Sequence, residues 1–132
     1  MTAGVVLQEA LYEALTGDGA LMALVSGVYD FAPEDAALPF VQIGEAVVND
    51  WSAARMAGEE HLLTLHVWSQ ARGHLEAKSI MAAVVAALED GIGGLEGHHL
   101  VDLRLQMSEV LLEDESFMHH GVMRFRALTQ RI

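Results

Sequence analysis

Seven histidines are the side chains of this sequence best suited to bind a metal ion. Four of them form two adjacent pairs, His98-His99 and His119-His120. Neighbouring residues of a strand point to opposite faces, so neither pair can chelate as a unit. His61 and His66 lie an odd number of residues apart and diverge for the same reason. One member of each pair could still meet across two strands, but we predict no metal site and no cofactor.

Carboxylates and serines show no catalytic pattern either. Acid–base catalysis needs carboxylates in a pocket that shifts their pKa. The acidic runs of this chain instead lie at predicted turns or strand ends, at Glu59-Glu60, Glu89-Asp90 and Glu113 to Glu115. No serine has the glycine neighbours of a nucleophile elbow, and no glycine-rich loop opens a helix. We therefore predict that the protein is not an enzyme.

Three arginines form the one polar group that calls for explanation. Alternation places Arg104, Arg124 and Arg126 on the same side of two consecutive strands, opposite a row of Leu, Met and Phe. Such a row can be the ordinary solvated face of an antiparallel sheet. It can equally be a surface between subunits, where arginines pair with carboxylates of a neighbour. The residues alone leave both interpretations open.

Size and charge limit the possible partners. The 132 residues, of which 52% are hydrophobic, suffice for one domain, 1–132, with one core. Cysteine is absent, which excludes a disulfide framework and a thiolate metal site. A net charge of −12 argues against tight binding of nucleic acid, which needs a basic patch. The same charge suits a surface along which DNA slides, because repulsion prevents sticking.

The ends and apolar runs of the chain indicate a cytoplasmic protein. The N-terminal segment has no basic residues and carries Glu9 and Glu13, unlike a signal peptide. The longest apolar run, residues 80–88, is too short to cross a bilayer. We expect no membrane contact.

The first half of the chain predicts a helix, a short helical turn and a strand. Apolar residues recur at helical spacing from Leu7 to Leu15, with Thr2 as N-cap and Gly17 as stop. Asp18 is expected to cap a second turn at Gly19 to Val25.

An irregular link, Val28 to Leu38, should lead from there to the strand. Pro39 opens this strand, whose core-facing residues are predicted to be Val41, Ile43 and Val47. Asn49 to Gly58 is then expected to be an exposed, mobile loop.

The second half predicts a strand, a helix and two further strands. The first strand has two alternating rows, His61, Leu63, Leu65 and Val67 on one side and Leu62, Thr64, His66 and Trp68 on the other. We favour a core position for Trp68 over a place on a contact surface. After Arg72-Gly73 the spacing becomes helical up to Asp90. A long strand from His99 to Leu112 should face the core with Val101, Leu103, Leu105 and Met107, with a bulge near Ser108 to Val110. A turn at Glu113 to Glu115 precedes the last strand, His120 to Thr129, and Leu112 to Met118 is expected to be mobile.

These elements predict an α+β fold. The order is α-β-β-α-β-β, with an antiparallel (mixed) sheet of about four strands. Two main helices should pack on one face of this sheet, because short links favour antiparallel neighbours.

Five stretches between Leu24 and Gln130 have a recognisable sequence and follow one another in a recognisable order. They are LVSGVYDFAPEDAALPFVQIGE, the loop beginning NDWS, HLLTLHVWSQARGHLEAKSI, LVDLRLQMSEVLLEDE and HHGVMRFRALTQ. Together they resemble the tail-terminator (tail-completion, or head–tail joining) family of long-tailed phages and gene transfer agents. The family has no catalytic residues, so the resemblance implies a structural protein without cofactors.

The resemblance also implies a place in a particle. It implies a hexameric ring that caps the tail tube, stops its polymerisation and joins it to the head connector. The implied partners are the tube protein and a head-side adaptor, with DNA passing through the bore unbound, after assembly in the cytoplasm. The predicted interface residues are Arg104, Arg124, Arg126, Asp50, Trp51, Arg55, Glu113, Asp114 and Glu115. The alternatives are another tail or connector component, such as the tube protein or the adaptor, and a small ligand-binding or enzymatic α+β domain.

Overall fold

The computed structural model describes all 132 residues and contains three helices and five strands. The helices are α1 (Ala3–Thr16), α2 (Gly19–Met22) and α3 (Leu75–Glu89), and the strands are β1 (Gly27–Tyr29), β2 (Phe40–Asp50), β3 (Gly58–Ser69), β4 (His98–Leu112) and β5 (His119–Arg131). The predicted α+β class and order of long elements are confirmed. The three-residue strand β1, at the start of the predicted irregular link, was missed. None of the helices is long and apolar enough to cross a membrane.

The first two helices begin where their capping residues predict. The Thr2 hydroxyl accepts a hydrogen bond from the backbone N–H of Val5 at 3.4 Å, and the Asp18 carboxylate accepts one from Leu21 at 2.9 Å. These bonds satisfy N–H groups that a helix leaves free at its start. Helix α3 has no such cap. Its first turn is instead tied to the end of β3, because Ser69 donates a 2.6 Å hydrogen bond to Glu76.

The five strands form one mixed sheet in the order β1-β2-β3-β5-β4. Only β1 and β2 are parallel; every other neighbouring pair is antiparallel. The helices cover one side, here called the helix face, and the other side is called the open face. The upper end of the sheet is where Ser69 pairs with His119, and the lower end is where Gly58 pairs with Gln130.

A core of 21 buried residues lies between the helices and the helix face. The strands contribute Val28, Val41, Ile43, Leu65, Val67, Met123, Phe125 and Ala127 to it. Gly121 allows the close approach of α3, since an added Cβ would lie 2.6 Å from the sulfur of Met81. Burial of these apolar side chains, at about 25 cal/mol per Å², is the main force that holds the helices on the sheet.

Bulges account for the errors in predicted strand faces. In β2 the register shifts between Ile43 and Ala46, which turns Val47 to the open face, where it is 54% exposed. In β4 the register shifts between Leu100 and Asp102 and again between Leu105 and Met107. The predicted core positions of Val47, Val101 and Met107 are therefore wrong, because an extra residue reverses the alternation. The bulge predicted near Ser108 to Val110 lies before Met107 instead.

Two further predictions need correction. Strand β2 continues through Asn49 and Asp50, so the loop predicted from Asn49 is shorter and spans residues 51–57. Trp68 lies half-buried on the open face instead of in the core, where its ring stacks on His120 with centroids 3.8 Å apart.

Candidate assembly surface

The three predicted arginines lie together on the open face. Arg104 of β4 is the cross-strand partner of Arg126 of β5, and Arg124 lies opposite Met107. Arg104 donates to Asp102 of its own strand at 2.7 Å, while Arg126 donates to Glu60 of β3 at 2.6 Å. Arg124 is exposed and forms no ion pair within the subunit. One cation of this face is therefore free to bind a carboxylate on another chain.

The Arg126–Glu60 pair is built into the sheet. The hydrogen bond from Arg126 is the main reason why the pKa of Glu60 lies below its usual value, and a second bond from Asn49 acts in the same direction. The pair thus keeps Glu60 ionised and links β2, β3 and β5 on the open face. This contact stabilises the surface itself and leaves Arg126 only partly available to a partner.

A chain of four titratable side chains crosses the open face near its upper end. Glu45, in the bulge of β2, accepts from His66 at 3.2 Å; a 2.7 Å contact joins His66 Nδ1 to His120 Nε2; and His120 Nδ1 donates to Glu113 at 2.9 Å. Burial alone would raise the pKa of Glu45, but its own backbone N–H together with His66 and Thr64 lowers it below the usual value. The chain ties three strands to the first residue of the β4–β5 turn.

Each ring nitrogen of His66 and His120 lies within hydrogen-bonding distance of one neighbour in this chain, and the donor and acceptor roles depend on the tautomer of each ring. The carboxylates bind the far side of each ring, and no group of three or more His, Asp or Glu comes together as a metal site would need.

The remaining predicted interface residues lie in two hairpin turns at opposite ends of the sheet. The lower turn, residues 51–57, carries Trp51, which is 36% exposed, and Arg55, which has no ion pair. Its base is held by Asp50, which accepts from Ser52 at 2.6 Å, and by the hydrogen bond from Trp51 N–H to the Gly58 carbonyl. The structure thus separates these residues from the acidic ones at the other end.

The upper turn follows β4 and carries Glu113, Asp114 and Glu115. Asp114 and Glu115 are exposed, while Glu113 is bound to His120. Phe117 in the same turn is 74% exposed and has a φ of 56°, a left-handed conformation that non-glycine residues rarely adopt. Sequence reasoning missed Phe117 because only the backbone conformation distinguishes it. It also missed the His66–His120 contact, although alternation had placed His66 and Trp68 on the same face.

His61 is a buried histidine with a measurable consequence. It lies on the helix face, where its Nε2 contacts the Thr129 hydroxyl at 3.0 Å and its Nδ1 has no partner. Burial lowers the pKa of His61 below its ordinary value of 6.5; the nearby Glu59 acts against this shift and His98 adds to it. The folded protein therefore takes up this proton less readily than the unfolded chain does.

We expect this difference to make the fold sensitive to acid. The contribution of neutral His61 to the free energy of unfolding is fully present above pH 6.5. It is lost as pH falls through that value towards the lower pKa of His61 in the folded protein. Urea unfolding between about pH 7 and pH 5 should show a shallower loss of stability for His61→Leu than for the wild type. The exposed His99 provides the control, since His99→Leu should keep the wild-type slope. Equal slopes for all three proteins would show that His61 does not carry the effect.

Comparison with known proteins gives one consistent result. The sequence model of the family described as "Tail completion protein gp17" matches residues 9–130. The tail completion protein gp17 of Bacillus phage SPP1 is 28% identical over 120 residues, which cover 91% of this chain and 89% of that protein.

Solved structures agree with the sequence matches. A chain in the virion of a native gene transfer agent particle superposes with a TM-score of 0.89 at 30% identity, over 98% of both chains. The structure of bacteriophage SPP1 gp17 superposes with a TM-score of 0.69 at 25% identity, over 95% of this chain and 89% of that one.

Proposed function

This chain belongs to the tail completion protein gp17 family, and from this premise we propose that it forms a closed hexameric ring at the head-proximal end of a tail tube. It is a structural tail component of a phage or gene transfer agent particle. In the proposed role the ring stops tube polymerisation, joins the tail to the head connector and lets DNA pass. As a structural part it needs no catalytic residues and no cofactor.

The observation that carries this proposal is the placement of two exposed turns at opposite ends of one sheet. A protein that joins two assemblies must present a different surface to each of them. The lower turn is cationic and aromatic, with Arg55 and Trp51, whereas the upper turn is acidic with an exposed Phe117. We assign one turn to the tube protein and the other to the head-side adaptor. Exposed turns of this kind commonly become ordered when a partner binds.

The open face supports the proposal through its charges. Arg124 is unpaired in a chain whose net charge is −12, so carboxylates for it are abundant on any neighbouring copy. A contact between two different patches closes into a ring when the repeated rotation returns to its start. The acidic excess gives such a ring a bore that repels DNA, which allows passage without binding. We therefore propose Arg104, Arg124 and Arg126 as contributors to subunit or partner contacts.

Particles produced without this protein test the proposal. We expect free heads together with unjoined tails of uncontrolled length, seen by electron microscopy, because the tube lacks its terminator. Supplying the wild-type protein from a plasmid should restore joined particles of uniform tail length. Loss of a tube protein would instead abolish tails, and loss of a head-side adaptor would leave unjoined tails of normal length. Either of these results would contradict the proposed role and favour the corresponding alternative.

A further inference from the structure

The two lateral edges of the sheet are unlike each other and both are open. At one edge, β1 pairs only with Phe40 to Gln42, so residues 43–50 of β2 have no strand partner on that side. A cleft of about 670 Å³ lies there between α1 and β2. Its lining includes the half-exposed side chains of Val5 and Tyr12. This surface, here called the α1–β2 edge, combines the apolar side chains of Val5, Tyr12, Ile43 and Ala46 with a strand edge that lacks a partner.

The α1–β2 edge is also acidic. Glu9, Glu13 and Asp30 line the cleft, and no basic residue does. None of the three forms an ion pair within the subunit. An occupant of this cleft should therefore combine apolar side chains with a positive charge.

The opposite edge of the same chain offers apolar side chains and one lysine. Strand β4 is the other edge strand, and a cleft of about 560 Å³ separates it from α3. Lys78 and His74 line this cleft, with Glu109 as the one acidic residue. Its apolar lining consists of Met81, Ala82, Val85, Leu105, Val110 and Met123. Lys78 is exposed and makes no ion pair. This surface is called the α3–β4 edge.

Strand directions allow the two edges to meet in a repeating contact. Strands β2 and β3, β3 and β5, and β5 and β4 are each antiparallel, so β4 runs opposite to β2. A rotation that places one copy beside the next, with upper ends aligned, brings β2 and β4 together as antiparallel neighbours. The helices α1 and α3 then lie side by side on the same face. The bulges in both strands interrupt backbone pairing, so side chains must carry most of the contact.

We propose that the α1–β2 edge of one subunit binds the α3–β4 edge of a second copy of this chain, with Glu9 and Glu13 facing Lys78. This inference rests on the proposed ring and identifies the surfaces that close it. The contact is heterologous, since each subunit offers two different edges, and it repeats around the ring. Symmetric pairing of two α1–β2 edges would place the like charges of Glu9, Glu13 and Asp30 opposite each other, which disfavours it.

Cross-linking tests the contact directly because the natural chain has no cysteine. Gln8 lines the first cleft and Ala82 the second, and both are exposed. Particles that contain the double variant Gln8→Cys, Ala82→Cys should give a ladder of covalent oligomers with a short bis-maleimide. Each single variant should give none, because its cysteines sit on edges that never face each other. A ladder from either single variant would show that like edges meet and would overturn the inference.

Charge reversal supplies the second test. Glu13→Lys or Lys78→Glu should lower the yield of joined particles by at least about tenfold, and the double exchange should restore most of it. Both changes are compatible with the helix dipole, which favours a cation in the last turn and an anion in the first. Glu13 lies in the last turn of α1 and Lys78 in the first turn of α3, so we expect both variants to fold. Glu34→Lys, in the exposed link before β2, is the matched control and should act like wild type.

The outcomes separate this inference from the ring itself. If the reversals are harmless, or the double exchange does no better than the single ones, the edges do not meet as described. A ring seen in such particles would then use other surfaces and the proposed function would stand. If particles without the protein are joined normally, the proposed function fails independently of these variants.

Discussion

The double variant Arg124→Ala, Arg126→Ala is expected to yield folded subunits that no longer support joined particles of uniform tail length. Arg124 is the unpaired cation of the open face, and Arg126 is the neighbouring cation whose Glu60 partner lies in the same subunit. Truncating one member of a desolvated charge pair at an interface typically costs about 2–5 kcal/mol. An exposed pair contributes less than about 1 kcal/mol. Because a ring contains the same contact several times, the loss of binding free energy is repeated at each of them.

The single variants divide this effect between the two arginines. Arg124→Ala should impair assembly while leaving thermal unfolding unchanged, since this side chain has no partner to lose within the subunit. Arg126→Ala should also lower the unfolding temperature slightly, because Glu60 loses its main hydrogen-bond donor. Arg72→Ala, in the exposed turn after β3, is the matched control. Particles counted by electron microscopy and unfolding followed by circular dichroism measure the two effects. Normal joined particles from the double variant would show that neither arginine contributes to an assembly contact.

The long elements could be predicted because their local signals agree. Helix α1 has a capping threonine, a helical apolar stripe and a stop at Gly17, and the structure places its boundaries there. The alternation of β3 and β5 is uninterrupted, and their residues pair one to one from Gly58 to Ser69. Where cap, period and turn all favour one structure, local sequence is sufficient.

The errors lie where tertiary contacts outweigh local pattern. An extra residue in a bulge leaves almost no mark on hydrophobic alternation, so Val47 and Met107 were assigned to the wrong face. Strand β1 is only three residues long and exists because it pairs with Phe40 to Gln42. Trp68 is a large aromatic residue of a type that is often buried in a core, yet its ring lies against His120 on the open face. None of these features has a periodic signal of its own.

The candidate surface was predictable in part. Alternation alone located Arg104, Arg124 and Arg126 on one face, since period two survives in β5 and in the middle of β4. It could not show which arginine is already paired, because Glu60 is distant in sequence and adjacent only across the sheet. The α1–β2 and α3–β4 edges could not be predicted from the sequence either. They depend on the strand order β1-β2-β3-β5-β4, in which sequence neighbours β3 and β4 are not spatial neighbours.

Shortening the two hairpin turns separately should reveal which end of the subunit meets which partner. In the lower turn, residues 52–57 can be replaced by Asn-Gly between the paired residues Trp51 and Gly58. In the upper turn, residues 114–117 can be replaced in the same way between Glu113 and Met118. Asn-Gly favours the two-residue turn that matches the twist of antiparallel strands. Both variants should therefore fold, and each removes only one exposed surface.

We expect the two shortened proteins to fail in different ways. Loss of the turn that contacts the tube should give tails of uncontrolled length, because the ring no longer binds the growing end. Loss of the turn that contacts the connector should give tails of normal length that remain unjoined to heads. The variants are controls for each other, since each keeps the turn that the other lacks, and thermal unfolding verifies both folds. If both gave the same defect, or neither gave any, the turns would not divide the two partners between them. The joining surfaces would then have to lie on the faces and edges of the sheet.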